Sequence, residues 1–319
     1  MLTAKTPLRI SFAGGITDMK KFYGVETGAV LSSTIDKFVY LMVNSRYDGG
    51  FRLSYSQVEE TDDIDSIKHP LIRESLRLFP TRSVDVSSLS DIPAATGLGS
   101  SGAYTVGLLN AMSVFSCQFV TKEELAQAAC EVEQITNEES GKQDQYAAAF
   151  GGLNLIEFNP DGTVYVKPVM CSDEVADELS RNLMMFYLGV RQTSSSSIMT
   201  TYNFEDNWQA LRDMRELAYE LKLTLEEGKN LADFGNLLAD GWRLKKTISS
   251  EISHEDVDCA YDVACHKGAL GGKLCGAGQR GFLLLYCERH NQANVRKALK
   301  PLVEIQFRLH KQGSVIYKC

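Results

Sequence analysis

Pro93-Ala-Ala-Thr-Gly-Leu-Gly-Ser-Ser-Gly-Ala103 is the stretch on which the fold turns. Three glycines and two serines fall between Gly97 and Ala103, and an apolar helical pattern follows at once. Glycine lets the backbone approach a ligand closely and adopt positive φ. A helix start offers unpaired N–H groups and the positive end of the helix dipole. Together these features make an anion cradle suited to phosphate. The hydroxyls of Ser100 and Ser101 add groups that reach a phosphate or its Mg2+. The same letters also suit a plain glycine-rich turn with a serine cap.

Two familiar phosphate loops are excluded. A P-loop needs a lysine after its last glycine, whereas Gly102 is followed by Ala103 and Tyr104. Gly97-Leu-Gly-Ser-Ser-Gly102 matches the dinucleotide fingerprint letter for letter. That fingerprint belongs to the first turn of a βαβ unit, with an acid about 20 residues on at the end of a second strand. Here the strand at Val84–Leu89 is separated from Gly97 by a proline-containing loop, and Lys122-Glu-Glu124 opens a helix instead. The context fails, so an NAD site is rejected.

The 319 residues suggest two domains. A net charge of -8 and the lack of any Lys/Arg run argue against a nucleic-acid partner. Met1-Leu-Thr-Ala-Lys5 lacks an apolar leader and no window approaches 18 uninterrupted apolar residues, so a cytoplasmic protein without a membrane partner is expected. The eight cysteines lie far apart with no CxxC and read as reduced core residues. The five histidines show no metal spacing.

Along the chain, strands are expected at residues 3–12, 33–43 and 51–55, the last two joined as a hairpin through Asp48-Gly-Gly50. A helical pattern covers Asp62–Phe79 and another strand Val84–Leu89. Helices follow at Ser100–Ser116 and from the capping box Thr121-Lys-Glu-Glu124 to about Glu139. A short helix (145–150), a strand (151–158) and the turn Asn159-Pro-Asp-Gly162 come next. Glu174–Asn182 marks the domain junction. Beyond it lie a strand at 183–190, the run Arg191-Gln-Thr-Ser-Ser-Ser-Ser197, and long helices through Leu211 and Trp242. A helix at 260–269 precedes a second glycine-rich loop, Gly271 to Gly281, which enters a strand. A helix at 291–302 and closing strands at 304–310 and 313–317 complete the chain. Strands mixed with helices without strict βαβ alternation indicate α+β in both halves.

Pro7-Leu-Arg-Ile-Ser-Phe-Ala-Gly-Gly-Ile-Thr-Asp18, Pro93 to Ala103, and Leu274-Cys-Gly-Ala-Gly-Gln-Arg-Gly-Phe282, in this order, resemble the galactokinase–homoserine kinase–mevalonate kinase–phosphomevalonate kinase (GHMP) superfamily. Ala13-Gly-Gly-Ile-Thr-Asp18, Gly141-Lys-Gln-Asp-Gln-Tyr146 and Gly268 to Leu274 look most like the D-glycero-D-manno-heptose 7-phosphate kinases, and L-fucose kinase domains share much of that pattern. The resemblance implies a two-domain fold, with an N-terminal ribosomal-protein-S5-domain-2-like unit (1–178, nucleotide binding and catalysis) and a ferredoxin-like C-terminal unit (179–319). It also implies ATP and Mg2+ as cofactors, a small sugar phosphate as substrate, and leaves a homodimer open.

Residue by residue, the resemblance puts Pro93, Gly97, Leu98, Gly99, Ser100, Ser101 and Gly102 around the ATP phosphates. Ser101 and Glu133 would serve Mg2+, which accepts one or two carboxylates beside phosphate oxygens and water. Asp144, eleven residues after Glu133, would accept the sugar hydroxyl proton, with Arg9 orienting it and stabilising its charge. Alignment of the hydroxyl is then expected to matter more than proton pull. Gly14, Gly15, Thr17 and Asp18, with Gly276 and Gly278, would surround the sugar. A sugar phosphate needs a second anion site, for which Arg191, Ser194 and Ser195 have a cation, hydroxyls and free N–H groups. Lys142 and Lys245 are secondary candidates.

Gln279 and Arg280 stand where relatives usually carry glycines, and are expected either to narrow the substrate side, to add a phosphate contact, or to mark reduced activity. The competing readings are a kinase for L-fucose or another neutral sugar, and a catalytically silent sensor of sugar and nucleotide.

Overall fold

The computed structural model describes residues 1–81 and 83–318; Cys319, counted above among the core cysteines, lies outside them. The chain opens with β1 (Leu2–Ala13), almost wholly buried along its second half, then α1 (Lys20–Tyr23) and the long β2 (Gly28–Asn44) antiparallel to β1. Strand 2 starts five residues before the expected position, because Gly28 to Ser33 pair with a later strand.

The expected hairpin after β2 is not formed. β3 (Gly50–Ser54) pairs antiparallel with β4 (Val58–Thr61) and parallel with β5 (Ser83–Ser90), and β5 lies between β2 and β3. Gly49 and Gly50 do turn the chain, with φ of 81° and 67°, but the turn carries it past one strand position. Packing explains the choice. Val86 is the cross-strand neighbour of both Val43 and Leu53, and all three are buried in one apolar row.

The 62–79 helical pattern shortens to a 3-10 turn at Ile64–Ser66 and α2 (Pro70–Arg77). Pro70 supplies a preset first helical residue and disfavours helix in the residue before it. α3 (Ser100–Phe115) and α4 (Lys122–Thr136) follow, and the Thr121–Glu124 capping box is present in full. α4 stops before Glu139 because Asn137 is extended. After α5 (Gln143–Phe150), β6 (Leu153–Phe158) and β7 (Val164–Pro168) form the hairpin signalled by Asn159-Pro-Asp-Gly162, and β6 pairs with β2.

α6 (Asp173–Asn182) leads to a second sheet. Its strands β8 (Leu183–Tyr187), β9 (Gly271–Leu274), β10 (Phe282–Tyr286) and β11 (Val303–Glu304) lie antiparallel in the order β11-β8-β10-β9. Between them run α7 (Ser195–Met199), α8 (Trp208–Glu227), α9 (Ala232–Ile248), α10 (Glu255–His266) and α11 (Arg289–Ala298). Residues 304–310, expected as a strand, contribute only β11 and a single bridge from Leu309 to Ile35. β12 (Val315–Lys318) returns to the first sheet and pairs with β1.

α3 packs on β1 and β2, while α8 lies on β2 and pairs with α9, which covers β9. This helix pair ties the sheets together. One apolar core unites the large sheet with Leu221, Phe234 and Tyr286, and the second gathers Ile16, Met19 and Phe22 with the smaller sheet. All seven described cysteines are free. Cys130, Cys275 and Cys287 are core residues as expected; Cys117 and Cys259 are exposed, the first because it occupies a positive-φ turn after α3.

Candidate active site

The end of β1, the uncapped start of α3, the start of α5 and the β9–β10 loop meet around a cavity of about 690 Å³. Gly99 caps α3 in the left-handed conformation (φ 75°, ψ 30°) with no side-chain cap. The amides of Gly97, Gly99, Ser100 and Ser101 find no backbone acceptor among the described residues. Ser100 Oγ is buried and likewise has no partner among them. The loop is anchored from behind by the buried Leu98, whose carbonyl accepts the Arg9 N–H at 3.0 Å. Free N–H groups at a positively charged helix end are an anion site in waiting.

Arg9 fixes the carboxylate beside that loop. Its Nε donates to Asp144 Oδ1 at 2.7 Å, Nη2 lies 2.6 Å from the same oxygen, and Nη1 donates to the Gly97 carbonyl at 2.8 Å. A Cβ on Gly99 would sit 3.2 Å from Asp144 Oδ2, and one on Gly102 2.6 Å from Asp144 Cβ. The carboxylate therefore abuts the cradle. Only glycine allows this approach.

Glu133 lies on the other side of the cradle. Ser101 Oγ donates to its Oε2 at 3.3 Å, while Oε1 is buried without a partner among the described residues. Burial, and then the nearby Asp144 charge, push the Glu133 carboxyl up to about 8. A buried carboxylate with a free oxygen beside a hydroxyl fits a divalent cation whose other ligands are phosphate and water. Among the described residues no cluster of three His, Cys, Asp or Glu forms a closed metal cage.

Asp18 and Gly15 line the cavity near Asp144. Asp18 accepts from the Ile16 and Gln143 amides, both at 3.1 Å, and from Gln143 Nε2 at 2.9 Å. Burial raises its carboxyl above the usual range. Arg191, Ser194, Ser195, Lys245 and Gly276 are also in the wall.

Other expected residues stand behind it. The Thr17 hydroxyl, fully buried, bonds the Gly14 and Ala29 backbones, so both Gly14 and Thr17 shape the loop. Lys142 turns its ammonium onto the Tyr23 ring, 4.7 Å from its centre, and does not reach the cavity. Pro93, Leu98, Gly102 and Gly278 likewise support rather than line it. Gln279 and Arg280 point away: Gln279 Nε2 donates to Glu251 and Arg280 pairs with Asp256. Neither lines the cavity.

Sequence reasoning missed two groups. Tyr55, His69 and Tyr104 form an aromatic wall, with His69 edge-on to Tyr55 (4.8 Å) and stacked on Tyr104 (5.6 Å). Burial holds the His69 imidazole below its usual range. Lys273 is the other, a buried ammonium in the cavity wall. Its signal was a charged residue inside the apolar run that enters the second sheet.

Residues 67–152 match the family model for the GHMP kinases N terminal domain. The chain is 29% identical to D-glycero-alpha-D-manno-heptose 7-phosphate kinase of Campylobacter jejuni, over 94% of this chain and 93% of that protein. It is 21% identical to the bifunctional fucokinase/GDP-fucose pyrophosphorylase of Arabidopsis thaliana, covering 95% of this chain and 32% of the relative. The crystal structure of a D-glycero-D-manno-heptose 1-phosphate kinase from Bacteroides thetaiotaomicron superposes with a TM-score of 0.83 at 25% identity, over 100% of this chain and 99% of that one. The order of the glycine clusters, the two-sheet fold and these likenesses agree: residues 67–152 carry the GHMP kinases N terminal domain, and the chain as a whole is similar to sugar kinases built on it.

Proposed function

We propose that this kinase transfers the terminal phosphoryl group of ATP to the anomeric hydroxyl of D-glycero-D-manno-heptose 7-phosphate, giving the 1,7-bisphosphate that feeds nucleotide-activated heptose synthesis. The observation that carries the reading is the Arg9-clamped Asp144 carboxylate against the open amides of residues 97–101. Phosphoryl transfer is mostly positioning and charge stabilisation, and this arrangement supplies both. The amides of Gly97, Gly99, Ser100 and Ser101 hold the triphosphate. Asp144 aligns the acceptor hydroxyl and receives its proton, and Arg9 fixes the carboxylate in place. Asp18 and Gly15 face the sugar, and Arg191 with Ser194 and Ser195 faces its phosphate. Glu133 and Ser101 would hold Mg2+, which neutralises charge on the transferred group.

The division into 1–178 and 179–319 is part of the same reading. It is supported by the change of sheet at β8, with β12 as the one strand that returns. Seven free cysteines fit a reducing cytoplasm. Among the described residues no helix is long and apolar enough to cross a membrane.

Likeness to fucokinases keeps L-fucose and other neutral sugars as competing acceptors. A coupled ADP-release assay across phosphorylated and unphosphorylated hexoses and heptoses tests the proposal. Preference for the heptose 7-phosphate supports it; turnover of neutral sugars alone overturns it.

A further inference from the structure

Among the described residues, three cations in the cavity wall form no ion pair with an acid. Arg191, Lys245 and Lys273 are only 8%, 5% and 7% exposed. Arg191 Nε donates to the Thr193 carbonyl at 3.1 Å and Nη2 to Ser195 Oγ at 2.5 Å, while Nη1 is buried without a partner among the described residues. Lys245 Nζ donates to the Gly276 carbonyl, and Lys273 Nζ to the Phe12 carbonyl at 3.2 Å. Each ammonium thus retains donors that no described residue accepts. Arg9, the fourth buried cation nearby, is already paired with Asp144.

Burying unpaired like charges side by side destabilises a fold unless a ligand neutralises them. The Lys245 ammonium is pushed well below the ordinary lysine range by burial and by Lys273, Arg9 and Arg191, and Lys273 is lowered by burial to about 8. Burial leads both shifts, and at Lys245 the neighbouring cations Lys273, Arg9 and Arg191 add to it. Lys273 is held to β1 at Phe12, and Tyr202 in the same wall faces both Arg191 and Asp18.

We propose that Lys245 and Lys273 join Arg191 in one preformed anion site that takes the phosphate of the sugar substrate. The inference rests on the sugar-kinase reading above and names the residues that select a phosphorylated acceptor over a neutral one. Lys273, absent from the sequence reading, is a specificity residue in this assignment. The nucleotide phosphates remain with the amides of residues 97–101.

The test uses the full chain and two readouts. In thermal melts with inorganic phosphate alone, the wild type gains stability in a saturable way. Lys245→Met and Lys273→Met are at least as stable as the wild type without phosphate and lose that gain; Lys245→Gln and Lys273→Gln repeat the measurement with neutral polar chains. In steady-state assays both Met variants raise KM for heptose 7-phosphate about 10- to 100-fold, as expected for loss of a charge-assisted hydrogen bond, and leave KM for ATP unchanged. Lys273→Arg restores the low KM. An undiminished phosphate response in the variants overturns the proposal, as does a KM increase confined to ATP. If the wild type phosphorylates no sugar, the kinase substrate reading fails, and the melts still decide the anion site.

Discussion

Gly97 of the first glycine loop and Gly276 of the second interlock: a Cβ on Gly276 would enter the Gly97 backbone, and one on Gly97 would strike the Cys275 carbonyl. The contact brings the wall that carries Lys245 and Lys273 against the cradle that carries Arg9 and Asp144. Gly97 also holds φ at 87°, which L side chains rarely adopt. Gly97→Ala is expected to cost about 1–3 kcal/mol, the usual range for overpacking, and to raise KM for ATP. A variant with wild-type urea stability and nucleotide KM would show that the interlock does not organise the loop.

Asp144→Asn keeps the shape of the side chain and removes its capacity to accept a proton. Nucleotide affinity by calorimetry should be unchanged, while kcat falls by about two to four orders of magnitude. Surviving turnover would remove Asp144 from the catalytic role.

Glu133→Gln mimics the protonated carboxyl that burial favours in the empty protein. Wild type must take up a proton on folding at pH 7, between the unfolded value of 4.5 and the folded value of about 8. The variant should therefore be the more stable protein there, and the gap should close as pH falls towards 4.5. The Mg2+ concentration for half-maximal rate should rise about tenfold or more, the scale expected when a ligand to the ion is lost. Equal Mg2+ dependence in the two proteins would exclude Glu133 as a ligand.

Arg191→Ala should raise KM for the phosphorylated sugar far more than for ATP. Its guanidinium lines the cavity and is held by the Thr193 carbonyl and the Ser195 hydroxyl. Equal effects on the two substrates would take Arg191 out of the acceptor site.

Lys273 gives a pH signature of its own. Its folded-state pKa, about 8, lies below the ordinary 10.5, so between these values the unfolded chain carries more protons than the native one. Stability then rises with pH in this window. Relative to Lys273→Met, the wild type should be the less stable protein at pH 7 and should close the gap as pH rises from about 8 towards 10.5. Urea titrations at pH 7 and pH 10 measure it; parallel pH slopes would refute a buried, unpaired ammonium.

Local chemistry along the chain already defined much of this molecule. The cradle at residues 97–101, the capping box at Thr121 and the turn at Asn159 follow from turn residues and helical periodicity, and the pairing of Arg9 with Asp144 from what the family resemblance implies. Those signals act over a few residues, or through a family pattern that spans nearly the whole chain. Only the tertiary structure decided that β5 would part β2 from β3, because the row Val43–Val86–Leu53 joins residues dozens of positions apart. Only it turned Lys142 onto Tyr23 and brought Lys273 and Lys245 together without an acid. A side chain's direction and the charge it faces depend on which distant elements pack beside it, and neither is encoded in the period or propensity of its own segment.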